Sequence, residues 1–387
     1  MKIIPSRNDC IKIVNDCDDF YCKYGTIENN NTIYKYEIYN YNLYSYSNFK
    51  SYNAFELRGL TFIFDEKTND WIRYLSLHKF FNMNENEDDM PEKLKKLKLI
   101  SVSEKIDGSM ITFIKLPNGH IIPKTKLCFD NKECIMATEI YNKDINLRNF
   151  IIEQLDNNNT PIFELTSPSN KIVIEYSETN LTLLQIRDIN GDYIELTSEK
   201  CLEIEKKYGI KCAKKYNTTL EKLSDEKYIN NLEKRLFEGC VLHFENNKFI
   251  KLKTKLYLQL HMILTSTIRE NMLIEFILNE KIDDLLPYIN KSDKKEYVEN
   301  IIDIVTKKFR EIKNRIILLR KLYFEEYNNI KEFAIKYAKE PLFKYMITSI
   351  KTNKLEDNEK ILAQEITKKF VLNNTKKLNH AKLFLDL

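Results

Sequence analysis

A lysine, an aspartate and a glycine stand close together in Glu104-Lys105-Ile106-Asp107-Gly108-Ser109-Met110, just ahead of an alternating segment that reads as a strand. Lysine acts as a nucleophile only as the free amine. At the ordinary lysine pKa of about 10.4, roughly one side chain in 2,500 is neutral at pH 7, a handicap of about 4.6 kcal/mol. A nucleophilic lysine therefore needs positive charge or a metal beside it. The aspartate can orient or balance such a cation, and the glycine lets the backbone approach a ligand closely. Taken alone, these common residue types more often mean a strand-turn with an exposed Asp-Gly, so the rest of the chain has to decide.

Further groups of the right kind follow. Ile162-Phe163-Glu164-Leu165 places a carboxylate inside an apolar strand, which is costly unless it is hydrogen-bonded or paired. Phe237-Glu238-Gly239-Cys240 opens another strand with Glu-Gly. Phe249-Ile250-Lys251-Leu252-Lys253 carries two lysines two apart, hence on one strand face. Two cations flanked by apolar residues are poor core and good phosphate ligands, although a solvated edge gives the same pattern. Both are expected to serve phosphates rather than stability. Arg58-Gly59 puts a cation at a strand end, where an ordinary surface arginine is the plainer reading. Leu77-His78-Lys79-Phe80-Phe81-Asn82 joins a lysine to two aromatics, which suits a purine ring beside its phosphate, although a core Phe pair is commoner.

Composition bounds the class. The chain has 387 residues, 30% charged and 43% hydrophobic, enough for two or three globular domains. A net charge of +4 does not by itself argue for nucleic acid, but local basic clusters can still bind phosphate. No stretch approaches the roughly 20 apolar residues of a membrane span, and the N-terminus lacks the apolar core of a signal peptide. The eight cysteines include no Cys-x-x-Cys pair, so zinc and disulfide frameworks are not expected and a reducing, cytoplasmic setting fits. Only seven glycines occur and none lies after Gly239, so the glycine-bearing part is expected to be rich in turns and strands and the glycine-free remainder mostly helical.

The elements that must position these groups follow in order. A short helix is expected within 1–20, and the aromatic-polar alternation of 32–50 predicts a half-buried strand. Residues 110–116 and 120–127 form a hairpin over Pro117-Asn118-Gly119 whose second arm carries Lys124-Thr125-Lys126. Residues 136–156 read as helix, 171–175 and 181–186 as strands, 192–196 as the segment that follows the tight Asn190-Gly191 turn, and 198–235 as a charged, helical, insertion-like segment. From about Leu256 the period becomes helical. Asp293 and Glu296 read as a capping pair, ahead of a long amphipathic helix with Val298, Ile301, Val305, Phe309, Ile312, Ile316 and Leu319 on its apolar stripe. Its basic residues, Lys307, Lys308, Arg310, Lys313, Arg315, Arg320 and Lys321, either track a nucleic-acid backbone or form a solvated face. Further helices are expected at about 324–340, 341–351 and 355–372.

Lys105-x-Asp107-Gly108, strand Glu164, Glu238-Gly239 and Lys251-x-Lys253, in that order, resemble the motif set of covalent nucleotidyltransferases, the nucleic-acid ligases and messenger-RNA capping enzymes. Tyr39-Asn40-Tyr41, Arg58-Gly59, Lys79-Phe80-Phe81-Asn82 with Asn84-Glu85-Asn86, and Pro168-Ser169-Asn170-Lys171-Ile172-Val173 narrow the resemblance to the RNA ligase 1 family of the bacteriophage tRNA-repair type, over roughly 33–260. The resemblance implies an α+β fold. A mixed or antiparallel-sheet nucleotidyltransferase domain (ATP-grasp-like, 1–258) would precede an all-helical RNA-specificity domain (259–387). It implies an ATP-dependent RNA ligase with magnesium or manganese, joining RNA 5′-phosphate and 3′-hydroxyl ends, including those of tRNA. By the same match Lys105 becomes adenylylated, while Tyr39, Arg58, Lys79 and Glu164 belong to the ATP pocket. Arg58 and Glu164 hold the ribose and Phe81 flanks the base. Lys251 and Lys253 grip the phosphates, Glu238 orients or binds metal, Asp283 binds metal, and Lys126 is needed for ligation. A monomer, in a host cytoplasm if the source is viral, is the expectation. A GTP-dependent capping guanylyltransferase and a non-catalytic RNA-end-binding protein are the rivals, and whether a separate end-healing kinase-phosphatase works beside the protein stays open.

Overall fold

A computed structural model describes residues 4–42, 46–170, 173–233, 235–255, 257–258, 270–284, 286, 295–327, 329–352 and 359–386. The chain divides into two compact units, the first Met1–Tyr41 with Ser45–Thr265, the second Ser266–Leu387 with the short piece Asn42–Tyr44.

The first unit is built on three four-stranded sheets among the described residues. One runs in the order β1 (Phe20–Asn29), β2 (Thr32–Tyr41), β3 (Leu60–Asp65), β4 (Asp70–Tyr74). The others are made of β5 (Phe81–Asn82), β6 (Leu99–Lys105), β7 (Ser109–Lys115), β8 (Ile121–Lys124), β9 (Thr160–Thr166), β10 (Asn180–Arg187), β11 (Gly239–Phe244) and β12 (Lys248–Lys253). They order as β10-β9-β7-β8 and β5-β12-β11-β6, with β5 parallel to β12 and every other ladder antiparallel. This is the mixed, mainly antiparallel α+β architecture expected of the chain.

Each of these last two sheets buries one face under helices. Ile111, Phe113, Phe163, Leu165, Leu181, Leu183 and Ile186 pack against Leu147, Phe150 and Ile151 of helix Ile145–Asp156 and Ile204 of helix Ser198–Tyr208. Val102, Leu242, Phe244 and Ile250 pack against Leu220, Leu223 and Ile229. The remaining faces meet through Leu77, Phe80, Ile162, Tyr193 and Phe249, with Met110, Leu184 and Val241 at the margin. That apolar floor is where the cleft forms.

Several expectations need correction. The strand read over 32–50 stops at Tyr41, and Tyr46–Ser51 is helical. The helix read over 136–156 is two helices, Lys132–Lys143 and Ile145–Asp156, because the Asp144 carboxylate caps the second by accepting from Asn146 and Leu147 N–H. Residues 192–196 follow a tight turn as expected, with Gly191 at a φ of 92° and Tyr193 in an isolated bridge to Arg187. The 198–235 segment is not an insertion. Between its helices, 211–216 hydrogen-bonds both sheets: Leu183 N–H to Lys211 O and Ala213 N–H to Leu183 O on one side, Glu104 N–H to Lys214 O and Tyr216 N–H to Val102 O on the other.

The second unit is helical throughout its described part, with Glu270–Leu278, Lys295–Leu322, Ile330–Tyr337, Phe343–Thr352, Glu359–Asn374 and Leu378–Phe384. Ile316, Leu319, Phe333, Met346 and Ile366 anchor its core. The basic residues of the long helix do not form one solvated face. Lys313 and Arg320 are buried, Lys308 pairs with Asp386 and Arg315 with Glu340, while Lys307, Arg310 and Lys321 are exposed. Asp293, Lys171 and Ile172, and the helix onset at Leu256, lie outside the described residues.

Candidate active site

Gly239 occupies a backbone position open only to glycine: its φ is 147°, and a Cβ there would sit 2.0 Å from the Leu252 carbonyl oxygen. In the ladder it lies opposite Lys105 on β6 and opposite Lys253 on β12. Glu238, one residue earlier, consequently directs its carboxylate between the two lysines. Oε2 stands 2.7 Å from Lys105 Nζ and Oε1 stands 2.9 Å from Lys253 Nζ. The Glu238 and Lys253 side chains are 2% and 5% exposed, whereas Lys105 keeps 21%. The lysine thus reaches solvent while its carboxylate partner does not.

Gly108 fixes the other side. A Cβ there would lie 2.3 Å from the Leu165 carbonyl oxygen, so the turn packs directly on β9 and sets Lys105 beside Glu164. Burial pushes the Glu164 carboxyl up to about 8, against the pull of Lys105 and Arg58, with Glu238 and Asp107 adding to the rise. Asp107 has a structural task. Its Oδ2 accepts from Val173 and Ile174 N–H, both at 2.9 Å, and its Oδ1 from the Tyr257 hydroxyl at 2.9 Å. Those two amides are spent on a carboxylate, which is why 173–175 is not the strand expected there.

Lys105 opens onto a cleft of about 210 Å³ between the two sheets. Arg58, Glu164 and Lys251 line its polar part, and Leu77, Phe80, Met110, Leu184, Val241 and Phe249 its apolar part, with Ser103 and Gln185 among them. The Arg58 guanidinium donates to Leu77 O at 3.2 Å. The following carbonyl, Gly59 O, accepts from Thr61 Oγ1 at 3.0 Å, Ser76 Oγ at 3.4 Å and Lys124 Nζ at 3.0 Å. Lys124 is 1% exposed, and burial lowers it to about 7.

Among the residues singled out from sequence, Lys105, Glu164, Arg58 and Lys251 line one cleft, and Glu238 and Lys253 adjoin it. Five others lie outside its lining. Tyr39 is buried and donates to Glu37, itself paired with Arg7. Lys79 and Lys126 flank the Tyr41 ring at 5.1 and 4.6 Å from its centroid. Phe81 packs on Tyr46, Phe49 and Phe55, and the neighbouring Phe80 faces the cleft instead. Asp283 is buried in the turn Ile282–Asp284 of the second unit. Among the described residues no three His, Cys, Asp or Glu side chains come together as a metal site. In the cleft, both Glu238 oxygens face lysines, and burial pushes the Glu164 carboxyl toward its neutral form. Sequence reasoning missed Tyr257, Ser103 and Gln185. A glutamine within Leu183-Leu184-Gln185-Ile186 was the visible signal.

A family model described as RNA ligase matches residues 56–258, which contain every wall of this cleft. The chain belongs to the RNA ligase family. It is 30% identical over 291 residues to a protein of Thermovibrio ammonificans described as "Putative RNA ligase", covering 73% of this chain and 72% of that one. It is also 28% identical over 250 residues to a protein of Autographa californica nuclear polyhedrosis virus described as a bifunctional polynucleotide kinase/RNA ligase, again with the qualifier "Putative", covering 58% of this chain and 34% of that one. Among solved structures, an archaeal ATP-dependent RNA ligase aligns over 80% of each chain at 11% identity, with a TM-score of 0.48. In this RNA ligase, the motif residues chosen from sequence converge on one carboxylate, Glu238, and one cleft.

Proposed function

We propose that this RNA ligase uses ATP and works through a covalent lysyl-AMP on Lys105. The observation that carries the reading is Lys105 at the mouth of the cleft, paired at 2.7 Å with Glu238 and facing Arg58, Glu164 and Lys251. The adenine enters the apolar slot between Phe80, Phe249, Met110 and Val241. Glu164, protonated at neutral pH, and Arg58 hold the ribose. Lys251 and Lys253 neutralise the phosphates.

Lys105 Nζ, relieved of a proton, bonds to the α-phosphorus as the bond to pyrophosphate breaks. Glu238 Oε2 orients the amine and is placed to take that proton. The AMP then passes to an RNA 5′-phosphate, and the RNA 3′-hydroxyl finally displaces AMP to form the phosphodiester. Each step is in-line phosphoryl transfer, in which fixed positive charge stabilises the spreading negative charge. A divalent ion, magnesium or manganese, would arrive with the triphosphate and neutralise part of its charge.

Lys79 and Lys126, gathered on Tyr41, are assigned to the RNA end, and Asp283 is retained as a metal ligand to be tested by substitution. The nucleotidyltransferase domain is taken as 1–258 and the helical remainder, 259–387, as the part that chooses the RNA, a broken tRNA-like stem-loop being the candidate. The chain is taken to act as a monomer in the cytoplasm, and no described helix is long and apolar enough to cross a membrane.

The test is denaturing gel electrophoresis after incubation with labelled ATP or labelled GTP. Label from ATP on the unmodified chain, none from GTP, and none on Lys105→Ala is the expected result. Label from GTP alone would replace ATP ligation with capping chemistry.

A further inference from the structure

β10 contains one irregularity, and it lies in the cleft. Leu183 pairs with Phe163 of β9, yet Gln185 pairs with the next residue, Ile162, so Leu184 is an extra residue. A bulge of this kind re-aims the side chains that follow it. Leu181 and Leu183 point into the helix-packed face, and so does Ile186 beyond the bulge. Between them Leu184 and Gln185 both face the cleft. Paired regularly, Leu184 would stand opposite Ile162 and Gln185 would fall on the helix-packed face, among apolar side chains.

Gln185 is 7% exposed and makes no side-chain hydrogen bond to any described residue. Its neighbours in the slot, Phe249, Val241, Leu184 and Met110, are apolar, and Ser103 Oγ already donates to Val241 O. A carboxamide with no partner among the described residues, facing a cleft walled by apolar side chains, is left to pair with whatever occupies that cleft. Its place along the sheet says which part of the ligand that is. It stands opposite Ile162, two residues from Glu164 on β9, roughly 7 Å along the strand. If Glu164 holds the ribose, that distance reaches the far edge of the base.

We infer that Gln185 selects the nucleotide, accepting a hydrogen bond from the 6-amino group of adenine while its NH₂ donates to the adjoining ring nitrogen. Adenine offers a donor and an acceptor side by side, which one carboxamide matches in a single plane. The inference rests on the proposed ATP site and names the group within it that reads the base.

The test is competition for self-labelling. The unmodified chain is incubated with labelled ATP and increasing unlabelled ATP, or with the unlabelled triphosphate of purine riboside, which lacks the 6-amino group. Unlabelled ATP is expected to compete about 10- to 100-fold better, as for one specific base contact. Gln185→Leu should bring the two competitors within about threefold of each other. Gln185→Glu still accepts from the amino group and should keep at least a tenfold preference. Equal competition in the unmodified chain, or an unchanged preference in Gln185→Leu, overturns the inference while leaving the ATP reading intact. No label from ATP on the unmodified chain overturns both.

Discussion

Lys105 Nζ and Glu238 Oε2 stand 2.7 Å apart, and the same carboxylate holds Lys253 through its other oxygen at 2.9 Å. One acidic group therefore holds both the proposed nucleophile and a lysine proposed to bind phosphate. Glu238→Gln keeps the shape but removes the charge both lysines face. Self-labelling is expected to fall about 100-fold, as for a displaced reacting group, and the melting temperature by several degrees. Unchanged labelling by this variant would show that the carboxylate does not align Lys105.

The two lysines of β12 are not equivalent. Lys251 is half-buried and lines the cleft, whereas Lys253 is buried against Glu238. Lys251→Ala should lower labelling about 100-fold with a melting temperature within a few degrees of the parent. Lys253→Ala should lower both, because it strips a partner from a buried carboxylate. Paired melting and labelling curves on the two variants separate these outcomes, and equal melting temperatures would contradict the distinction.

Glu164 gives stability a pH dependence. Its carboxyl, near 4.3 in an unfolded chain, rises to about 8 when folded, so the folded state binds more protons between those values. The stabilisation is full below about pH 4 and is lost as pH rises toward 8. Glu164→Gln cannot ionise. Its melting temperature relative to the parent should climb from pH 5 to pH 8.5, and parallel curves would contradict the assignment.

Lys124 acts in the opposite direction. Burial lowers it to about 7, so the folded state binds fewer protons than the unfolded one between about 7 and 10.4. The parent should gain stability against Lys124→Met as pH rises from 7 to 10. The variant also removes a donor from Gly59 O, beside Arg58, so its labelling should fall at every pH.

RNA choice is testable by shortening the chain near residue 260. The shortened protein, if soluble, should still label with ATP, more slowly if Asp283 serves a metal. It should lose the parent's preference for a nicked anticodon loop over an unstructured oligonucleotide with the same ends. Equal preference ratios would take RNA choice away from the helical part.

How much was legible follows from what each signal measures. Alternation and turns found β7, β9, β10, β11 and β12, because one face of each is buried and periodicity reports burial. The lysines and glutamates stood out because charge inside apolar runs is rare. Lys105 and Glu238 could be paired only through family order, since 133 residues separate them and register alone brings them together. Phe80 and Phe81 were indistinguishable, because one residue of phase reverses the face of a strand. Gln185 was hidden because its orientation depends on a bulge, and no residue type announces one there. The cross-sheet segment 211–216 was invisible because its bonds are isolated bridges, and Lys211, Lys214 and Lys215 made it look like a solvated surface run.

That segment has a mechanical consequence. The cleft walls belong to different sheets, and 211–216 ties β10 to β6 along one edge through backbone bonds on both sides. Widening the cleft by separating its walls at that edge would break four such bonds together. A pivot about the segment breaks none, so the walls can swing only as leaves on a fixed spine. Lys105 follows Glu104, whose N–H donates to Lys214 O, and Gln185 lies two residues beyond Leu183, which bonds Lys211 and Ala213, so both stand close to that spine. Breathing of the molecule is thereby directed to the margin of the cleft farthest from 211–216, while the edge that carries the lysine and the glutamine stays nearly still.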